Sequence, residues 1–304
     1  MDDARPTTGV GALFLPDEAT PEHPVPAMVL LHGSGGITPG REMEYGTLLE
    51  RHGIAAFVVN YYAPRGITDE TPYMLRVLSV TEFDAVTDAY AALHLLASHP
   101  AIDGQRIGLM GFSYGGMATR IAMDERIRRI LAPHRHGFAA FADFYGPCFQ
   151  DLGTQSVNGA PLLTLRGSAD ASNDLAACRQ REAQLRALGV SVESHVYPGA
   201  GHAWEAQEER QLFEDAPYVA GCTVYYDARG HSSVDGHPIV DVAAGTSRAE
   251  RIAVRMRSGR TMQACVKHGY VIGRDDATRD KAYVALLDFL GRSFGLPGSR
   301  EEKR

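Results

Sequence analysis

The sequence predicts an α/β fold, with a mostly parallel central sheet and helices on both of its faces. Three observations carry that expectation. Short, continuously apolar runs recur along the first two-thirds of the chain, and amphipathic stretches of helical spacing separate them. Strands that stay apolar residue after residue are buried on both sides, as parallel strands joined by crossover helices are. No linker-like boundary interrupts residues 8 to 204, so one sheet absorbs that whole span.

The elements follow in order. Ala27-Met28-Val29-Leu30-Leu31 reads as a buried strand ending in His32-Gly33-Ser34-Gly35-Gly36, and residues 54–62, IAAFVVNYY, as a second. Residues 81–98 place Phe83, Val86, Tyr90, Leu93 and Leu96 at helical spacing before Pro100 interrupts. Residues 106–112 are the third strand, followed by a helix over about 114–124. Residues 138–144, 162–165 and 190–197 are further strands, with a helix over about 175–188 between the last two. A final helix, about 278–294, carries Tyr283, Leu286, Leu287, Leu290 and Phe294 on one face and is expected to pack back on the sheet.

Residues 205–268 break this rhythm. EAQEERQLFEDAPYVAG reads as charged and irregular, CTVYYDARGHSSVDGHPIVDV as a small hairpin, and SRAERIAVRMRSGRTMQACVKHG as a helix. We expect residues 1–304 to form a single domain in which 205–268 is an insertion between the last strand and the C-terminal helix. Beyond the polar tail GSREEKR there is no low-complexity segment.

Composition narrows the function. With 44% hydrophobic and 22% charged residues, the chain is that of a globular protein. A formal net charge of −7 with no basic run argues against nucleic acid, and no apolar stretch reaches the length that spans a bilayer. The N-terminus MDDARPTTGV shows no secretory h-region, so the expected location is cytoplasmic, with export open if a signal peptide was removed. Cys148, Cys178, Cys222 and Cys265 form no CxxC pair and read as buried or free thiols; one or two disulfides in an exported protein are the alternative.

The chemistry centres on RIGLMGFSYGGMATR, residues 106–120. A bare G-x-S-x-G match is weak, but this one lies between an apolar strand and a helix, where a nucleophilic serine has to be presented. Ser113 is therefore expected to be the nucleophile. It needs a base oriented by a third group, and in strand order these are an acid and then a histidine. PLLTL runs into Arg166-Gly167-Ser168-Ala169-Asp170, and SVESHVYP into Gly199-Ala200-Gly201-His202, so Asp170 and His202 fill those roles. Asp174 and Asp143 are the fallbacks for the acid.

An oxyanion hole needs two backbone N–H donors. Tyr114, directly after the nucleophile, supplies one; the HGSGG loop supplies the other, with Ser34 first and Gly33 or Gly35 close behind. His32 reads as a structural member of that loop. HGSGG lacks the spacing of nucleotide-binding glycine loops. His134 with His136, and His231 with His237, lack metal-ligand spacing, so neither a metal nor a cofactor is expected. Tyr62 and Trp204 adjoin the site and are candidates for an acyl or aryl pocket. Arg65 would either bind a substrate carboxylate or brace a loop.

Taken together, VLLHGSGG, NYYAPRG, HPAIDGQRIGLMGFSYGG, RGSAD and YPGAGHAW resemble the α/β-hydrolase superfamily, and within it the dienelactone-hydrolase-like branch. The resemblance covers about residues 10–204 and the last helix. It implies the α/β-hydrolase fold and a nucleophile–Asp–His triad, here Ser113, Asp170 and His202, that cleaves esters or lactones without a cofactor. The enzymes that name the branch use cysteine as nucleophile; serine here favours a general carboxylesterase acting on a small ester. A lactone hydrolase, a prolyl-oligopeptidase-like peptidase (which GFSYGG also resembles) and a non-catalytic binding protein are the rivals. Residues 205–268 resemble cysteine-bearing segments of exported members, which implies Cys222–Cys265 and Cys148–Cys178 pairing.

Overall fold

The computed structural model describes residues 10–239 and 247–296, so the tail GSREEKR lies outside the described residues. In chain order the strands are β1 (Gly11–Phe14), β2 (Val25–Leu31), β3 (Ala55–Val59), β4 (Ile102–Phe112), β5 (Phe141–Phe144), β6 (Gln150–Asp151), β7 (Leu162–Gly167), β8 (Val192–Tyr197), β9 (Gln211–Val219), β10 (Val224–Tyr226), β11 (Ser232–Val234), β12 (His237–Pro238) and β13 (Val266–Ile272). The α-helices are α1 (Glu44–Arg51), α2 (Tyr73–Ser79), α3 (Glu82–Leu96), α4 (Tyr114–Ile121), α5 (Glu125–Leu131), α6 (Leu175–Ala187), α7 (Arg248–Met262) and α8 (Asp276–Phe294).

Seven strands form the main sheet in the order β1-β3-β2-β4-β5-β7-β8, parallel except for β1, which pairs antiparallel with β3. The predicted parallel sheet is thus present, and β1 is an antiparallel edge that four half-exposed residues, GALF, did not announce. The pleat splits each central strand between two cores. Val29 and Leu31 of β2 face α3 and α4, packing with Val86, Tyr90, Leu93, Ala118 and Ile121. Met28 and Leu30 face the other side, where Tyr45 and Leu49 of α1 meet Leu286 and Leu290 of α8. The last helix does pack back on the sheet. Helix α3 is started by a capping box in which Thr81 and Asp84 exchange side-chain and backbone hydrogen bonds.

The segment between β8 and α8 departs from expectation in two respects. The charged stretch that reads as irregular contains β9, a nine-residue strand paired antiparallel with β13. Its charged residues lie on an exposed ribbon, so burial leaves no period-2 pattern in the sequence. The expected hairpin is present as β10 and β11, and the expected helix as α7, which ends at Met262; the last residues of that expected helix, from Val266 on, belong to β13 instead.

All four cysteines are bonded, Cys148 to Cys178 and Cys222 to Cys265, with Cα separations of 5.0 and 5.6 Å. The reading as buried or free thiols is overturned, and the pairing that the resemblance implied is the one present. One bridge ties the loop before β6 to α6; the other ties the end of β9 to the start of β13, closing the ribbon around α7. In the chain-entropy account, closing loops of this size is worth about 4 kcal/mol each.

Candidate active site

Strand β4 ends at Phe112, α4 starts at Tyr114, and the chain turns between them in one residue. Ser113 makes that turn with φ 53° and ψ −109°, a conformation that residues with a Cβ rarely adopt. The turn closes only because its neighbours are glycines. A Cβ on Gly111 would lie 2.1 Å from the Gly115 carbonyl oxygen, and one on Gly115 would lie 2.4 Å from that of Leu31. The Ser113 hydroxyl is left standing at the sheet's carboxyl edge and at the N-terminal end of α4.

The loops after β7 and β8 end at the same edge. His202 Nε2 lies 2.8 Å from Ser113 Oγ, and His202 Nδ1 lies 2.7 Å from Asp170 Oδ2. Asp170 is buried and accepts four hydrogen bonds in all. Oδ1 takes the Ser172 N–H (3.0 Å) and the Ser172 hydroxyl (2.5 Å), while Oδ2 takes Asn173 Nδ2 (2.7 Å) besides the imidazole. The structure therefore brings Ser113, Asp170 and His202 into one hydrogen-bonded line. It places the two fallback acids elsewhere. Asp174 caps α6, accepting from the N–H groups of Ala176 and Ala177. Asp143 is wholly buried within β5, where it pairs with Arg166 at 2.6 Å and with Arg120.

His202 is held from three sides. Its backbone N–H donates to the Val271 carbonyl of β13 at 2.7 Å, and its carbonyl accepts from Gly273 at 3.1 Å. The Tyr145 ring meets it edge-on at 4.7 Å, and the Tyr270 ring at 5.4 Å. Tyr145 is itself pinned, its hydroxyl donating to Glu205 Oε2 at 2.7 Å while Tyr45 donates to Oε1 at 3.0 Å. Burial raises the Glu205 carboxyl above the usual carboxylate range, against the pull of Tyr145 and Arg41.

Tyr114 opens α4, so its N–H has no acceptor within the helix. Gly33 packs directly against the nucleophile, its vacant Cβ position lying 3.5 Å from Ser113 Cβ. Ser34 follows, with its carbonyl accepting from the Tyr62 hydroxyl at 2.9 Å and its own hydroxyl 3.2 Å from that of Tyr73. Arg41 and Arg76 clamp this loop by donating to the carbonyls of Gly36 and Gly35.

The side chains of all three pocket candidates are buried. Trp204 is wholly buried against Tyr145 and Tyr197, so it supports the His202 loop from beneath. Arg65 donates two hydrogen bonds to Asp88 (2.5 and 3.1 Å) and one to the Tyr61 carbonyl, which makes it a loop brace. Tyr62 adjoins the site through Ser34. Sequence reasoning missed Ser172, Asn173, Glu205, Tyr73 and Tyr270. Only Ser172 and Asn173 carried a signal: polar side chains within three residues of a buried acid.

His32 stacks on Tyr61 with ring centroids 3.6 Å apart, and its Nδ1–H donates to the Gly33 carbonyl at 2.7 Å. Complete burial lowers its pKa from 6.5 to about 3. The unfolded chain therefore takes up this proton first as the pH falls, and the neutral ring costs nothing above pH 6.5. Between 6.5 and about 3, it is expected to remove up to about 1.4 kcal/mol of stability per pH unit. Urea denaturation across that window should show the slope, and His32→Asn should flatten it; equal slopes would show that His32 is not the group responsible.

No cluster of His, Cys, Asp and Glu suited to a metal occurs among the described residues, and no described helix is long and apolar enough to cross a membrane. Comparison with known proteins adds the family context. The dienelactone hydrolase family matches over residues 11–229. A protein of Methylorubrum extorquens, provisionally named a carboxymethylenebutenolidase, is 26% identical over 172 residues, which are 52% of this chain and 56% of that protein. One of Salmonella typhimurium with the same provisional name is 30% identical over 119 residues, 36% of this chain and 41% of the other. The chain thus spans about half the length of the curated relatives it matches. Among solved structures, a thermophilic esterase of Thermogutta terrifontis with butyrate bound superposes with a TM-score of 0.51 at 16% identity, covering 66% of this chain and 86% of that one. At that identity the likeness is one of fold.

Proposed function

Because the chain belongs to the dienelactone hydrolase family, we propose that it is a serine hydrolase that cleaves carboxylic esters through an acyl-enzyme intermediate, in the manner of a carboxylesterase. The observation that carries this reading is the line Ser113 Oγ, His202 Nε2, His202 Nδ1, Asp170 Oδ2, with its two spacings of 2.8 and 2.7 Å.

A serine hydroxyl attacks poorly unless a base takes its proton as the bond forms. In this reading His202 Nε2 accepts the Ser113 proton while Ser113 Oγ adds to the ester carbonyl. Asp170 holds the Nδ1–H tautomer and stabilises the imidazolium that results. The carbonyl oxygen becomes an oxyanion, met by the N–H of Tyr114 and by that of Ser34 or its neighbour in the HGSGG loop. One such donor is worth about 3 kcal/mol. His202 then gives its proton to the departing alkoxide, and water repeats the sequence on the acyl group. Fluorophosphonate labelling tests the reading: a mass shift is expected on the peptide containing Ser113, and folded protein that takes no label would overturn it.

The provisional names of both relatives favour a second reading, hydrolysis of a lactone by the same groups. Turnover of a butenolide faster than of open-chain esters would select it. The two disulfides support folding in an oxidising compartment rather than the cytoplasm. Thiol titration of the denatured, unreduced protein from its native source is expected to find no reactive thiol; four would exclude that location.

A further inference from the structure

We infer that the cleft over Ser113 takes uncharged aromatic esters, the aromatic group lying between Tyr73 of α2 and Tyr270 of β13; this rests on the ester-cleaving reading above. Tyr73 reaches the site through Ser34, hydroxyl to hydroxyl at 3.2 Å, in the loop whose Gly33 lies against Ser113. Tyr270 reaches it from β13, its ring 5.4 Å from the His202 imidazole. One ring therefore stands beside the loop that packs on the nucleophile, and the other beside its base. Burial, and after it the nearby Tyr73 and Asp170, push the Tyr270 phenol up, so it stays a neutral hydrogen-bond donor. Tyr62, itself buried, holds the loop between them by donating to the Ser34 carbonyl at 2.9 Å.

Exposure separates these rings from core packing. Tyr73 is 46% exposed and Tyr270 half-buried, whereas Tyr45, Tyr61 and Tyr145 are completely buried. A partly exposed phenol beside a nucleophile leaves a ring face open to a second ring, and such pairs form offset or edge-on contacts beyond simple area burial.

Charge argues that the guest is neutral. Four arginines of the surrounding elements are committed. Arg65 is held by Asp88 and the Tyr61 carbonyl. Arg76 spends its three nitrogens on the carbonyls of Thr71, Gly35 and Asp69, and Arg41 pairs with Glu42 at 2.6 Å. Arg255 of α7 is half-buried beside Glu82 and hydrogen-bonds the Tyr114 hydroxyl. A carboxylate on the substrate would find each of these guanidinium groups already satisfied, and would pay its desolvation without an ion pair.

Two substrate pairs test the inference, the first sharing its leaving group and the second its acyl group. Ethyl phenylacetate against ethyl hexanoate reads the acyl side, and benzyl butyrate against hexyl butyrate the alcohol side. The aromatic member of at least one pair is expected to have a kcat/KM about fivefold higher. Tyr73→Leu and Tyr270→Leu should each bring that ratio towards one, while Tyr73→Phe and Tyr270→Phe should keep it. Monoethyl adipate, which carries a free carboxylate, should be turned over more slowly than ethyl hexanoate. Aromatic preference absent in both pairs, a ratio unmoved by both leucine variants, or faster turnover of the adipate would overturn it. Calorimetric binding of the same esters to Ser113→Ala protein keeps the outcome separate from catalysis. Aromatic-selective binding in a chain that hydrolyses no ester would remove the esterase reading and leave the aromatic site standing; binding without selectivity would remove the site.

Discussion

Ser113→Ala is expected to lower kcat for p-nitrophenyl acetate by about a million-fold, to whatever rate the oxyanion donors and binding alone sustain. The loss is that large because the hydroxyl, the imidazole and the carboxylate act as a unit, and without the attacking atom the other two have no proton to move. Stability should change little. Alanine keeps the Cβ that already occupies the strained φ of 53°, and Ser113 is half-buried with its hydroxyl bonded only to His202. Chemical denaturation should therefore give an unfolding free energy within about 1 kcal/mol of wild type. Fluorophosphonate labelling should vanish with the turnover. A variant that hydrolyses ester at more than a thousandth of the wild-type rate would remove Ser113 from the chemistry.

Asp170→Asn is expected to cost about four orders of magnitude in kcat. Four donors converge on the two carboxylate oxygens: the Ser172 N–H and hydroxyl on Oδ1, and Asn173 Nδ2 and the imidazole on Oδ2. An amide offers one oxygen and one NH₂, so either orientation sets a donor against a donor. If the NH₂ faces His202, the ring is driven to the tautomer with its proton on Nε2, where it cannot receive the Ser113 proton. If it faces Ser172, a buried N–H is left without an acceptor, at a cost of about 1–3 kcal/mol in stability. Turnover and urea denaturation measured together separate the two orientations. Asp174→Asn removes only a charge at the cap of α6 and should leave turnover within about twofold. Loss of activity in Asp174→Asn instead of Asp170→Asn would exchange the two assignments.

Much of this architecture was legible because burial writes itself into consecutive residues. VPAMVLL and AAFVV can only be strands covered on both faces, and the loops at their carboxyl ends are where the chemistry-bearing residues stand. Ser113, Asp170 and His202 could be placed on one edge from strand order alone. Exposed elements wrote no such record. β9 presents charged residues to water, so it reads as irregular although it pairs with β13 on both sides of a bulge. Tyr270 lies 68 positions after His202, too far for spacing to connect them. The partners of Arg65 are one helix away, at Asp84 and Asp88, and a guanidinium available to substrate reads the same in sequence as one bound to carboxylates. Trp204 follows the histidine by two residues, yet the left-handed turn at Ala203 sends it into the core instead of the cleft.

The bond from the His202 N–H to the Val271 carbonyl has a consequence for how this chain can be shortened. In a minimal hydrolase of this kind the base would ride on its own loop, and whatever separates the last sheet strand from the final helix would be dispensable ornament. Here the base leans on a strand that belongs to the ornament. The ribbon of β9 and β13 is clasped by Cys222 and Cys265, and α7 lies within that clasp against α2, the helix that carries Tyr73. Trimming the segment to reach a smaller catalyst would take away the mooring of the base and one wall of the cleft in a single cut. Grafting the site onto another scaffold would require residues 266–273 to travel with the histidine.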